Sequence, residues 1–244
     1  MEYAKGRNPE LGERGFFVLA GSEKLAVKAV YKKSKEISFN HFGSLSDTRS
    51  LAPFLRDCLT FCGLHPEALE ALKINVFGVL NLDAESSKLV ASEPRLQKML
   101  VLHGRLERDS VTGMSGRERV CQEMSRSDLL LLIHGQNSWC EEYIPSKVYE
   151  YFWAGRPVFG LTYHNAQLDQ LITERGGYVA RSGDSEATVI QLEKIWQAWG
   201  SDGLVGSDRG GISIKATVNK IVEKVLEQRE GDRLEYTRPQ YSGK

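Results

Sequence analysis

Apolar positions along the chain alternate between two periods. Leu129-Leu-Leu-Leu-Ile133 is a continuous apolar run, the pattern of a strand buried on both faces and therefore central in a parallel sheet. Ile37-Ser-Phe-Asn-His-Phe42 alternates apolar and polar and stops at Gly43. Leu72 to Phe77, Met99 to Leu106 and Pro157 to Thr162 read as further strands, and Tyr178 to Ala180 as a short edge strand. Between them the period lengthens. Leu51, Phe54, Leu55, Cys58, Leu59 and Cys62 share one helical face, as do Leu168, Leu171 and Ile172. Met114 to Met124 and Glu186 to Trp199 are amphipathic helices, and Leu89 to Lys98 is a short helix interrupted at Glu93-Pro94. Strands alternating with helices predict an α/β fold, a doubly wound, mostly parallel, Rossmann-like sheet.

The flanks are less regular. Residues 1–14 read as loose and Phe16 to Ala20 as a strand, whereas Glu23 to Lys33 fits either period and stays unassigned. Residues 1–35 thus form an N-terminal segment, 36–200 the main domain and 201–211 a glycine-rich flexible connection. A last helix over 212–228 places Ile214, Val218, Ile221, Val222, Val225 and Leu226 on one face, packed on the sheet or docked to a partner. The tail over 229–244 is polar.

Composition narrows the function classes. Lys+Arg and Asp+Glu balance at 32 each, giving no global pull toward nucleic acid or an anionic membrane. No apolar run approaches the ~18 residues of a membrane span, and the amino end lacks a signal-peptide core, which together imply a cytoplasmic chain. The four cysteines and five histidines show no metal-ligand spacing, so no metal is expected. Cys58 and Cys62, four apart on an apolar helix face, read as core.

The richest chemistry lies in Glu142-Glu-Tyr-Ile-Pro-Ser-Lys-Val-Tyr-Glu150-Tyr-Phe-Trp-Ala-Gly-Arg-Pro-Val-Phe159. Pro145 and Ser146 suit a first helical turn, with serine available as a cap. Gly155 suits the left-handed stop. Glu142, Lys147 and Glu150 surround a helix N-terminus, where free N–H groups favour an anion. Carboxylates beside an anion site suit a ligand with both phosphate and diol, and in an open α/β sheet ligands gather at the carboxyl ends of strands. Taken without neighbours, the stretch is also compatible with a plain capped helix.

Glu142-x7-Glu150 followed by Ala154-Gly155-x-Pro157-Val158 resembles the signature of the retaining glycosyltransferases of the GT-B fold (group 1, family 4-like), within their C-terminal, donor-binding domain. The resemblance spans roughly residues 36–200. It implies one half of a GT-B architecture that binds a nucleotide sugar and transfers the sugar from a nucleoside diphosphate with retention. Glu150 would bind the ribose hydroxyls, Glu142 would be the catalytic residue that approaches the sugar ring and its developing positive charge, and Lys147 and Arg49 would neutralise the pyrophosphate without a metal or other cofactor. Gly43-Ser44 resembles the loop under the donor phosphates, or is a simple turn. His103, Gly104 and Arg105 fall on the base side, or form an ordinary strand-end turn. The length accommodates only one of the two GT-B domains. The acceptor-binding domain would then be missing or supplied by another chain, and any membrane association would come through it. A nucleotide-sugar epimerase-like domain and a non-catalytic scaffold subunit are the alternative readings.

Overall fold

A computed structural model describes residues 16–78, 81–201, 203–206 and 209–236, with side chains as far as Arg229. The loose start expected for residues 1–14 and the end of the polar tail lie outside the described residues. The chain forms two compact units, Lys24–Gly211 and a smaller one of Met1–Glu23 with Ile212–Lys244.

Six parallel strands build the larger unit: β1 (Ile37–Phe42), β2 (Leu72–Phe77), β3 (Leu100–Gly104), β4 (Leu129–Ile133), β5 (Val158–Thr162) and β6 (Tyr178–Arg181). Their order is β3-β2-β1-β4-β5-β6, the doubly wound arrangement expected from the alternating periods. β4 and β5 are buried at every position, as continuous apolar runs require. β1 and β2 pair in register from Ile37 opposite Leu72 to Phe42 opposite Phe77. The chain reverses direction across the sheet between β1 and β4, which are hydrogen-bonded neighbours.

Helices cover both faces: α1 (Ala52–Leu64), α2 (Ala68–Ala71), α3 (Ala84–Ser92), α4 (Pro94–Met99), α5 (Gly116–Arg126), α6 (Ser146–Ala154), α7 (Ala166–Thr173) and α8 (Ser185–Gly200). Three of their starts are fixed by side chains that accept from first-turn N–H groups: Asp83 from Ser86, Asn165 from Leu168 and Asp184 from Ala187. Ser115 and Glu118 close a reciprocal capping box on α5. The interrupted helix expected over Leu89 to Lys98 is two helices. Pro94 has no N–H to continue the first, so it opens the second. Phe39, Phe54 and Phe159 meet between sheet and helix at centroid distances of 5.8, 6.3 and 6.0 Å, with Cys58 and Cys62 buried as free thiols nearby.

Two expectations for the flanks change. Phe16 to Ala20 forms no strand, because no ladder partner lies beside it among the described residues; only Ser22 makes an isolated bridge, to Ser213. The last helix, α9 (Ile214–Tyr236), keeps its apolar face exposed: Val218 and Val222 are about half accessible.

Gly155, at φ +73°, ends α6 in the left-handed conformation foreseen for it. The next residue, Arg156, closes the amino edge of the sheet. Its Nε–H donates to Ser127 O at 2.7 Å and its Nη2 to Leu204 O at 2.8 Å. The guanidinium lies 3.4 Å over the Tyr31 ring, while the Tyr31 hydroxyl donates to Asp128. The other Asp128 oxygen accepts from the Ser38 N–H and Oγ–H, joining β1 to β4 at their starts. The opposite, carboxyl edge is thereby left free for ligands.

Candidate functional site

At the carboxyl edge the ends of β1, β2 and β3 step back through glycines. Gly43 (φ +118°) donates its N–H to Phe77 O at 2.8 Å, and Gly78 (φ +115°) donates to Gly104 O at 2.7 Å. A Cβ on Gly78 would stand 3.2 Å from Gly43 Cα, so the two turns are nested backbone on backbone. A Cβ on Gly43 would stand 2.9 Å from Lys147 Nζ. The first glycine is therefore open on the side where the lysine amine lies, and nothing but hydrogen separates backbone from cation.

Lys147 reaches this position from the first turn of α6. Pro145, not Ser146, is the N-cap, and no side chain caps the helix. A proline at this boundary sets the entry angle but has no hydroxyl to offer, so the serine expected as a cap is already helical. Tyr151, fully buried on the same helix, accepts from the Phe42 N–H at 3.1 Å and locks α6 onto the end of β1. Burial first, and the Arg49 guanidinium second, push the Lys147 ammonium down from 10.5 to about 8, against the opposing pull of Glu150. The same two cations, after burial, hold His41 neutral, with its pKa down at about 3; its ring nitrogen Nδ1 lies 3.1 Å from Leu131 O.

Two cavities meet at Lys147. The larger, about 550 Å³, is lined by Gly43, Gly78, Arg105, Arg117, Lys147 and Glu150 among others. Glu150 is held by Arg117 of α5 in a bidentate pair, with Nη1 to Oε2 at 2.9 Å and Nη2 to Oε1 at 2.8 Å. At the β2–β3 side, Phe42, Phe77 and His103 stack face on face, with centroids 4.7 and 4.3 Å apart. His103 Nε2 lies 2.8 Å from Asn75 Oδ1, and burial lowers its pKa. Asn75 Nδ2 donates to Asn40 Oδ1, whose own amide donates to Ser127 Oγ. The polar ladder across three strands places the imidazole.

The smaller cavity, about 190 Å³, lies at the end of β4 and is lined by Arg49, His134, Asn137, Trp139, Tyr143 and Lys147 among others. Its loop includes a 3₁₀ turn, Ser138–Glu141, that the hydrophobic pattern does not signal. Asn165 pins this loop by donating to Cys140 O at 2.8 Å and Tyr143 O at 3.1 Å. His134 is 2% exposed and stacks on Tyr143. Neither of its ring nitrogens makes a hydrogen bond of good geometry, although the Tyr143 backbone is close. Burial lowers its pKa, and Arg49 lowers it further.

Of the residues singled out in the sequence, Gly43, Arg105, Lys147 and Glu150 line the larger cavity, and Arg49 lines the smaller one. Ser44 follows Gly43 and is exposed; Gly104 accepts from Gly78; His103 stands at the aromatic stack. Glu142 is exposed at the end of the 3₁₀ turn and lines neither cavity. Sequence reasoning passed over Arg117, and it reached His134 only as a conceivable acid/base partner of Glu142 in the epimerase alternative, which nothing in the spacing favoured. Arg117 sits on the exposed face of an ordinary amphipathic helix, and only the packing of α5 beside α6 brings it to Glu150.

No family model matches the chain, and no curated protein matches it either. Among solved structures the fold is similar to that of the pneumococcal O-GlcNAc transferase GtfA in complex with UDP and GlcNAc, with TM-score 0.52 and 14% identity over 85% of this chain. It is also similar to a mutant of TarM from S. aureus in complex with Fondaparinux, alpha-GlcNAc-glycerol and UDP, with TM-score 0.53 and 10% identity over 90% of this chain. The chain spans 38% of the length of the first and 42% of the second.

Proposed function

We propose that the larger unit is the donor-binding domain of a glycosyltransferase, which holds a nucleoside diphosphate sugar at the carboxyl edge of the sheet. One observation carries the reading: the Lys147 amine lies over the bare Gly43 turn at the junction of the two cavities. A diphosphate placed there would meet an ammonium, the Gly43-Ser44 backbone and the uncapped first-turn N–H groups of α6, a combination that favours anions without a metal. The ribose and base would extend into the larger cavity. Its Glu150 has lone pairs beyond those engaged by Arg117 for a diol, and His103, Gly104 and Arg105 border the base.

The chemistry in this reading is electrostatic. Departure of the diphosphate concentrates negative charge on its bridging oxygen, and preorganised donors stabilise that charge without reorganising. We assign Glu142 to the developing positive charge of the sugar, with retention of configuration and an acceptor supplied from a domain outside this chain. The fold shared with GtfA, which holds UDP and GlcNAc in its own structure, supports the assignment.

The test is calorimetric titration with UDP, GDP, ADP and dTDP, repeated on Glu150→Ala and Lys147→Ala. Micromolar affinity for one of them, reduced at least tenfold in each variant, is the expected result. Binding indifferent to both substitutions would remove the site drawn here, and no binding by any of the four would remove the function.

A further inference from the structure

The smaller cavity differs in charge from what a neutral sugar needs. The larger cavity is lined by four cations (Arg105, Arg108, Arg117 and Lys147) and two carboxylates (Glu107 and Glu150). That surplus of two already matches the two charges of a nucleoside diphosphate ester. Arg49 faces the smaller cavity as one more cation, and no carboxylate lines that cavity. Among the described residues Arg49 has no ion pair. Beside it His134 is almost completely buried, and neither ring nitrogen makes a hydrogen bond of good geometry, although the Tyr143 backbone is close. Asn137 adds an amide and Trp139 an exposed ring at the rim.

A buried imidazole without a well-formed hydrogen bond is costly, and a half-exposed guanidinium with no counter-ion is free to take an anion, so a ligand that satisfies both gains from both. A hydroxyl satisfies the imidazole but leaves the cation unmatched. A carboxylate satisfies both, since its two oxygens accept from a guanidinium and from an imidazole N–H at once. Resting on the donor-binding reading above, we infer that the smaller cavity is a subsite for an acidic sugar, a uronate whose carboxylate lies between Arg49 and His134. Such a sugar would stack on the rim aromatics through its ring while its anomeric carbon points to the diphosphate at Lys147. Neutral hexoses are disfavoured because they would desolvate Arg49 without replacing its water by an anion.

Two arms test this. In the first, free D-glucuronate and D-glucose are titrated in the millimolar range against tryptophan fluorescence, with the full chain and with Arg49→Gln and His134→Phe. Glucuronate is expected to bind at least tenfold more tightly than glucose, and each substitution is expected to erase the difference. In the second arm UDP-glucuronate is compared with UDP-glucose by calorimetry, with the same expected preference and the same loss of that preference in each variant, read as the ratio of the two affinities. Equal affinities for acidic and neutral sugars, or a preference that survives Arg49→Gln, would overturn the subsite and leave the donor domain standing. Failure of UDP and its sugars to bind, with glucuronate still preferred in the first arm, would keep the acidic-sugar cavity and overturn the donor reading instead.

Discussion

Lys147 is a cation kept where its charge is expensive, so replacing it by an uncharged side chain of similar shape should trade binding for stability. The fall of its pKa from 10.5 to about 8 comes chiefly from burial, then from Arg49. At ~1.4 kcal/mol for each tenfold change in proton affinity, the native state at pH 7 carries up to about 3 kcal/mol of cost on this charge. Lys147→Met keeps the apolar stem and removes the ammonium. Urea denaturation at pH 7 is expected to show a gain in stability, bounded by that figure. The pH dependence gives the same quantity independently. The native lysine holds its proton less tightly than the unfolded one, so between about pH 8 and the unfolded value near 10.4 the unfolded chain binds more protons, and wild-type stability rises with pH across that interval. The methionine variant lacks this rise, and the two curves converge by pH 10.5. Nucleoside diphosphate affinity should fall by about 10- to 100-fold in the variant, the worth of a charge-assisted contact to phosphate of roughly 1.5–3 kcal/mol. A variant less stable than wild type at pH 7, or a stability difference that does not close as the pH is raised, would refute the assignment of the cost to this ammonium.

Four further outcomes follow from the geometry. Gly78→Ala places a Cβ 3.2 Å from the Gly43 backbone at a φ of +115°, so urea denaturation should report a loss of about 1–3 kcal/mol, because neither chain segment can yield. Gly43→Ala meets only the mobile tip of Lys147, and it should reduce nucleotide affinity in calorimetry by displacing the amine, in addition to the strain of its own φ of +118°. Arg117→Ala frees Glu150 from its bidentate clamp; if the carboxylate is positioned for the ribose, discrimination between UDP and 2′-deoxy-UDP should shrink severalfold, with affinity for pyrophosphate unchanged. Arg156→Lys loses the fork that reaches Ser127 O and Leu204 O and the stacking on Tyr31, and thermal unfolding should show a destabilisation of about 1–3 kcal/mol without loss of nucleotide affinity at the opposite edge.

The hydrophobic pattern by itself determined the doubly wound sheet, the central place of Leu129 to Ile133, the edge position of Tyr178 to Ala180, the core role of Cys58 and Cys62, and the left-handed stop at Gly155. Each of these follows from local rules: burial on one or two faces, helical period, and a glycine where no Cβ fits. The same rules located the stretch from Glu142 to Glu150. They could not reveal that Arg117 clamps Glu150, that Lys147 stands over Gly43, or that His134 is buried without a hydrogen bond of good geometry. Nor could they separate Arg49, in the smaller cavity, from Lys147 at the junction of both. Those relations join residues far apart along the chain, and they arise because a parallel sheet with crossover helices delivers the ends of separate strands and the starts of separate helices to one edge. Periodicity records which face of an element is covered, but the neighbour that covers it, and the charge it brings, are fixed only when the strands take their order.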